Sequence, residues 1–367
     1  MTEFHVEVVR IGAVTKHPNA DTLSLTTIHD NYPVLFKSGE FKEGDLAVYV
    51  PVDSVVPDTA EWQWLAPAGA ALRERDRRIK AKRLRGVFSM GLLTKAPPGA
   101  REGQDVAEQL GITKYEPDEP APAVVRERYA APWYVRLWRY LFGYKDPTRI
   151  VPPKLKYLPG TYDIEPFRRY GQHWFQEGEL VVVTEKIHGQ NASFVHDGKK
   201  LHIKSRTRWR RNDPTEHGNT WVRVAQKYKL EDKLKDYPGI VLFGETYGNN
   251  ADMRYGVQPS KEGDSFVAFD AFDSETGRYF DYIKFRTLCN ALEVPTAPCI
   301  TTFQWGDDET ALIEDLAEGY SILASLNGAK HLREGFVIKP VVERRTDRGE
   351  RVILKMAGEG YLTRKAA

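Results

Sequence analysis

The stretch VVVTEKIHGQNASF, residues 181–194, runs as four β-branched residues into Glu185, Lys186, Ile187, His188 and Gly189. A strand that ends by presenting a lysine and a histidine two residues apart, beside a glycine, is suited to place an amine nucleophile at the rim of a site. A solvated hairpin is the plainer reading of the same residues. Further along, strand-like islands each set a charged residue beside a glycine or an aromatic: Ser205 and Arg206 in LHIKSRTRWRR, Glu245 in GIVLFGETYG, Phe266, Phe269 and Asp270 in SFVAFDAFD, Glu334 and Lys339 in REGFVIKP, and Lys355 in RVILKMAGEGY. K-x-H-G alone is common by chance. The signal is the ordered series of one candidate nucleophile, two carboxylates and two further lysines, each at a strand.

That series resembles the covalent nucleotidyltransferases, the superfamily of ATP-dependent ligases and mRNA-capping enzymes. EKIHGQN is similar to the phage RNA ligase 2 family, and an OB-like segment ahead of a ligase domain resembles the Deinococcus and Naegleria type of RNA ligase. The resemblance implies ATP and Mg2+ or Mn2+ as cofactors. It implies that Lys186 becomes adenylated, Lys339 and Lys355 contact phosphates, and Glu245 and Glu334 hold the metal. Glu185, Ile187, His188, Gly189 and Arg206 would line the nucleotide, and either Phe266 or Phe269 would stack on adenine. Asn191 and Arg206 match residues tied to the polynucleotide steps. AMP would pass to a 5′-phosphate and a 3′-hydroxyl would then displace it, sealing RNA in a nicked duplex or an RNA/DNA hybrid. Two departures stand out: His188 replaces the aspartate of DNA-ligase-like relatives, and Ala357 occupies the second place of the K-x-K pair that the phage enzymes carry after Lys355.

The chemistry sets a condition. An unperturbed lysine titrates near ~10.4, so desolvation, neighbouring cations or a metal must favour its neutral form. Lys339 and Lys355 supply cationic neighbours. Mg2+ keeps most of its waters, so carboxylates can hold it through its hydration shell.

The elements that must position these groups divide the chain. Residues 1–115 read as short alternating strands punctuated at Pro18-Asn19, Gly39 and Gly44, which fits a small OB-type β-barrel. HPNADTLSL resembles the opening of tRNA-binding OB modules, and RRIKAKRLRG, with Arg83 and Arg85, offers phosphate contacts. Residues 116–157 form an acidic, Pro-rich linker followed by APWYVRLWRYLFGY, with apolar residues at helical spacing, expected to clamp the domains together. Residues 158–367 form the expected α+β nucleotidyltransferase domain with antiparallel sheets. In RTRWRR, Arg208 and Arg210 flank a tryptophan as a phosphate-tracking groove would need.

The composition is that of a globular protein, 41% hydrophobic and 28% charged. No apolar run approaches the ~18–20 residues that span a bilayer. The opening residues go straight into strand alternation, so no signal peptide is expected. Two cysteines, Cys289 and Cys299, cannot build a disulfide framework, and a cytoplasmic monomer is the expectation. Only twelve residues follow Lys355, leaving no room for the C-terminal OB domain that DNA ligases and capping enzymes use. A non-catalytic OB-type RNA-binding protein is the rival of a different class. The intact charged series argues against it.

Overall fold

The computed structural model describes residues 4–29, 32–66, 72–115, 150, 152–212, 219–249, 253–260, 263–306 and 309–364. The amphipathic stretch at 131–144 lies outside them.

The N-terminal part is built from short antiparallel strands. Glu7–Arg10, Leu46–Val50 and Leu92–Lys95 make one sheet, and Thr15–Lys16, Leu23–Ile28 and Tyr32–Lys37 another. Period-two alternation decides which residue fills which core: Val8, Val48 and Val50 join Trp62 and Ile79 on one side, while Val9, Ala47 and Tyr49 join Val34 and Phe36 on the other. The basic segment expected to return as one strand is a hairpin, Lys82–Leu84 against Val87–Ser89. Its turn residues Arg85 and Gly86 both take positive φ, 45° and 93°, the backbone that tight hairpins use to match strand twist.

The C-terminal part packs two sheets against each other. The five-stranded sheet runs Glu165–Pro166, Leu354–Ala357, Gly335–Pro340, Leu180–Lys186, Cys299–Gln304. The six-stranded sheet runs Trp209–Arg210, Leu201–Ser205, Gln190–His196, Ile240–Gly248, Asp264–Asp273, Arg278–Tyr279. Pairing is antiparallel except where Glu165–Pro166 meets Leu354–Ala357. Helices Thr220–Lys227, Leu230–Leu234 and Tyr282–Ala291 cover the six-stranded sheet over a core that includes Phe194, Trp221, Phe266 and Phe285. Phe167, Trp305, Phe336 and Ile338 form the second core, behind the five-stranded sheet. Ionic contacts join the two parts, Arg83 to Glu359 at 3.0 Å and Arg169 to Glu7 at 3.2 Å. Among the described residues no helix is long and apolar enough to cross a membrane.

Candidate functional site

Strand alternation puts Lys186 where it is. Along Leu180–Lys186, Val181 and Val183 enter the second core, so Thr184 and Lys186 face the other way, into a cavity of about 170 Å3 between the sheets. Glu185 falls on the opposite face. Its carboxylate accepts from the amides of Ile322 and Leu323 at 2.9 and 3.0 Å, so it secures a helix start, and the residue also lines the cavity.

Lys186 Nζ donates to Glu334 Oε1 at 2.6 Å. Glu334 arrives through close strand packing: Gly335 pairs with Lys186, and a Cβ on it would stand 1.9 Å from the Met356 carbonyl. Glu245 joins from the six-stranded sheet, in register with Asn191. Gly189 permits that approach, since a Cβ there would lie 2.1 Å from the Thr246 carbonyl. The His188 amide donates to Tyr255 Oη at 2.7 Å, and Tyr361 Oη sits 2.8 Å from His188 Nδ1. A residue of the last helix, Glu359–Leu362, thus holds the ring that follows the lysine.

The electrostatics differ from the sequence expectation. Burial works to strip the proton from Lys186, but Glu334 and then Glu245 outweigh it and raise the amine above its ordinary value. Two other amines lining the cavity are depressed: the exposed Lys355, brought down to about 8 by desolvation and then by Lys186 and Arg206, and Lys339, lowered by its burial. Burial pushes Glu245 up to about 8, against the pull of Lys186.

Lys339 borders the cavity but is buried, and its Nζ donates to Asp270 Oδ1 at 3.1 Å. Asp270, with no exposure, also receives Arg351 Nη2 at 2.5 Å and Tyr162 Oη at 2.6 Å. Lys339 is therefore anchored by a carboxylate at the wall of the cavity.

The two phenylalanines separate cleanly. Phe266 has no exposure and packs edge-on against Phe194 in the core. The pairing of Asp264–Asp273 with Ile240–Gly248 slips one residue, from Asp270↔Phe243 to Ala268↔Gly244, and the unpaired residue is Phe269. The bulge turns its ring into the cavity, the re-aiming that bulges commonly perform beside sites. Tyr162 backs that ring at 4.9 Å.

Arg206 and Asn191 line the cavity, and Arg206 Nη2 donates to Asp163 Oδ1 at 2.5 Å. The other basic candidates are not brought to it. Arg208 is exposed beyond the strand end, and Arg210 lies 4.3 Å over the Trp221 ring. Arg83 pairs with Glu359, and Arg85 reaches the Asn19 carbonyl at 3.4 Å. Sequence reasoning missed Tyr162, Asp163, Tyr255, Arg351 and Tyr361, which sit in no pattern of their own.

Among the described residues no group of three or more His, Cys, Asp or Glu could hold a metal. Two carboxylates face Lys186, and the buried Glu334 Oε2 has no hydrogen-bond partner. This donor set fits a divalent cation that keeps most of its waters.

An RNA ligase family model matches residues 179–357, and an OB-fold domain model matches residues 5–96. Comparison with curated proteins finds no match. Among solved structures, a Naegleria gruberi RNA ligase mutant with ATP and Mn superposes with a TM-score of 0.73 at 21% identity, covering 98% of each chain. The Naegleria gruberi RNA ligase with PPi gives 0.72 at 22% identity over 97% of each chain, and a mutant with AMP and Mn gives 0.73 at 21% over 97% of each. At these identities the likeness shows the fold.

Proposed function

We propose that this chain, whose residues 179–357 match an RNA ligase family model and whose residues 5–96 match an OB-fold domain model, is an ATP-dependent RNA ligase joining 5′-phosphate to 3′-hydroxyl ends. One observation carries this reading: Lys186 faces Glu334 at 2.6 Å in a cavity that also holds Glu245, Arg206, Lys355 and the bulged Phe269. The Naegleria structures solved with ATP, AMP or PPi are of a ligase with this fold.

Lys186 Nζ attacks the α-phosphorus of ATP, forming an N–P bond as pyrophosphate leaves. Its proton must first depart, and Glu334 Oε1 is the acceptor within reach. Phe269 offers a face to the adenine. Lys355 and Arg206 meet developing negative charge on the phosphates, an electrostatic task that dominates phosphoryl transfer. A divalent cation held through water by Glu245 and Glu334 would offset that charge further. AMP then passes to a 5′-phosphate, and a 3′-hydroxyl attacks that phosphate and releases AMP. Asn191 and Arg206, at the same cavity, serve those later steps. A-form duplexes are read through backbone shape and 2′-hydroxyls, which favours nicks in RNA duplexes or RNA/DNA hybrids as substrates of a monomeric enzyme.

The test is covalent labelling by α-labelled ATP with Mg2+ or Mn2+ on a denaturing gel, beside Lys186→Ala and a GTP control. Label from ATP on the wild type alone supports the reading, and nicked RNA and DNA duplexes then sort the substrate. No label with any nucleotide, on protein whose intact mass shows no pre-bound AMP, overturns it.

A further inference from the structure

A second cleft, about 590 Å3, opens beside the lysine cavity, with Tyr162 and Asp163 as part of the wall between them. One side is the segment at 157–163 and the other is the hairpin ERRTDRGER, residues 343–351. Nothing in the adenylation chemistry uses it.

The four arginines of that hairpin divide into two kinds. Arg344 is clamped by Glu179 and by the Trp174 carbonyl at 2.7 Å. Arg351 is clamped by Glu343 and Asp270 and lies 3.7 Å over the Tyr279 ring. These two hold the hairpin to the body through the Arg345↔Arg351 bridge and a turn closed by Gly349 at φ 88°. Arg345 and Arg348 sit towards the tip, exposed and lining the cleft. Arg345 reaches only the Gly349 carbonyl, at 2.7 Å, and among the described residues Arg348 has no hydrogen bond or ion pair. Among the described residues no carboxylate is within ion-pair distance of either: of those lining the cleft, Asp163 pairs with Arg206, and Glu350 accepts from Thr346.

Opposite the arginines stands an exposed aromatic. Tyr157 is 49% exposed and rests on Gly277, where a Cβ would come within 3.2 Å of its ring. A half-exposed aromatic ring, with Lys156 Nζ 5.5 Å from its centroid, and two exposed guanidinium groups without a carboxylate partner share a cleft of ligand-binding size, which matches a base and its phosphate: stacking on the ring, with charge-assisted contacts to the arginines.

We infer that this cleft binds an unpaired nucleotide of the RNA strand, its base on Tyr157 and its phosphates on Arg345 and Arg348, next to the sealing site. The inference rests on the RNA ligase reading for the identity of the strand. A base stacked inside a duplex has no free face for Tyr157, so the nucleotide taken here is a single-stranded tail or a frayed end.

Two assays separate this from the ligase reading. The first is lysyl-AMP formation from ATP without RNA. The second is fluorescence-anisotropy binding of a short 5′-phosphorylated, 3′-fluorescein oligoribonucleotide across a salt series, for wild type, Tyr157→Ala, Arg345→Ala/Arg348→Ala and the Lys-for-Arg double variant. Expected is unchanged adenylation in every variant, with oligoribonucleotide affinity falling roughly tenfold to a hundredfold in Tyr157→Ala. The arginine-to-alanine variant should lose affinity and about 1.4 from the slope of log K against log salt, for two phosphates. The lysine variant should keep that slope. Intact adenylation with unchanged affinity and salt slope overturns the cleft and leaves the ligase. A wild type that takes no label yet binds the oligoribonucleotide through these residues overturns the ligase reading and keeps the cleft. Free AMP displacing the oligoribonucleotide in proportion to occupancy of Tyr157 would overturn the strand as the source and assign the cleft to free nucleotide.

Discussion

Asp270→Asn should destabilise the ligase domain by about 3 kcal/mol, near the low end of the ~3–5 kcal/mol cost of breaking a buried ion pair from one side. The number follows from what Asp270 faces. Its side chain has no exposure, while those of Lys339 and Arg351 are only 6% and 11% exposed, so removing its negative charge strands Lys339 away from water and leaves Arg351 with Glu343 alone. Asparagine keeps an oxygen for Lys339, which argues for the low end. At ~2–4 °C per kcal/mol for a domain of this size, Tm should fall by roughly 6–12 °C. Urea unfolding of the ligase-domain transition would read the change as a shifted midpoint at constant m. Adding Lys339→Met to Asp270→Asn should recover part of the loss, because one stranded charge is then gone. The pH dependence has a fixed sign. Burial opposes ionisation of Asp270, but Arg351 and Lys339 outweigh it and hold its pKa below the ordinary carboxylate value. Its contribution is therefore present above pH ~3.9 and is lost as pH falls through the lower, folded-state value, so the gap between wild type and Asp270→Asn should close in acid. A loss below ~1 kcal/mol, or a double variant no better than the single, would show that the cluster is hydrated and refute the reasoning.

Lys355, brought down to about 8, should lose its charge as pH rises through that value. The KM for ATP should then climb by up to about tenfold per pH unit above 8, and Lys355→Arg, which stays charged, should flatten that limb. Gly189→Ala would push a Cβ to 2.1 Å from the Thr246 carbonyl. Thermal unfolding should show ~1–3 kcal/mol of lost stability, with lysyl-AMP formation falling in parallel. Tyr361→Phe removes the hydroxyl 2.8 Å from His188 Nδ1. It should lower the rate of lysyl-AMP formation with little change in stability, and the His188 ring resonances should shift in the NMR spectrum.

What could be read from the sequence was set by local periodicity. Lys186, Glu245, Glu334 and Lys355 stand at strands whose alternation is visible, and the structure draws Lys186, Glu245 and Lys355 to one cavity with Glu334 hydrogen-bonded to the lysine. Parity was not enough elsewhere. Phe266 and Phe269 were indistinguishable because the bulge that turns Phe269 out depends on how Phe243 and Gly244 pair with the strand. The helix-start role of Glu185 could not be read because its partners, the amides at 322 and 323, lie 137 and 138 residues away. The Asp270 cluster was illegible for the same reason, since Tyr162 and Arg351 are 189 residues apart. The charge state of Lys186 followed from two carboxylates supplied by two different sheets. Arg83 and Arg210 look like nucleic-acid residues in composition; in the fold Arg83 makes a surface pair with Glu359 and Arg210 lies over Trp221, partners that local pattern does not show.

The span of these contacts also sets an order of events during synthesis. Lys186 meets Glu334 across 148 residues and His188 meets Tyr361 across 173, whereas the strands at 5–95 pair among themselves. On the ribosome the first barrel can close early, domain by domain, while the lysine waits. Until residue 334 has emerged the lysine has no carboxylate partner, and until residue 361 has emerged the histidine beside it has no anchor, so this pocket is assembled long after the first barrel can close.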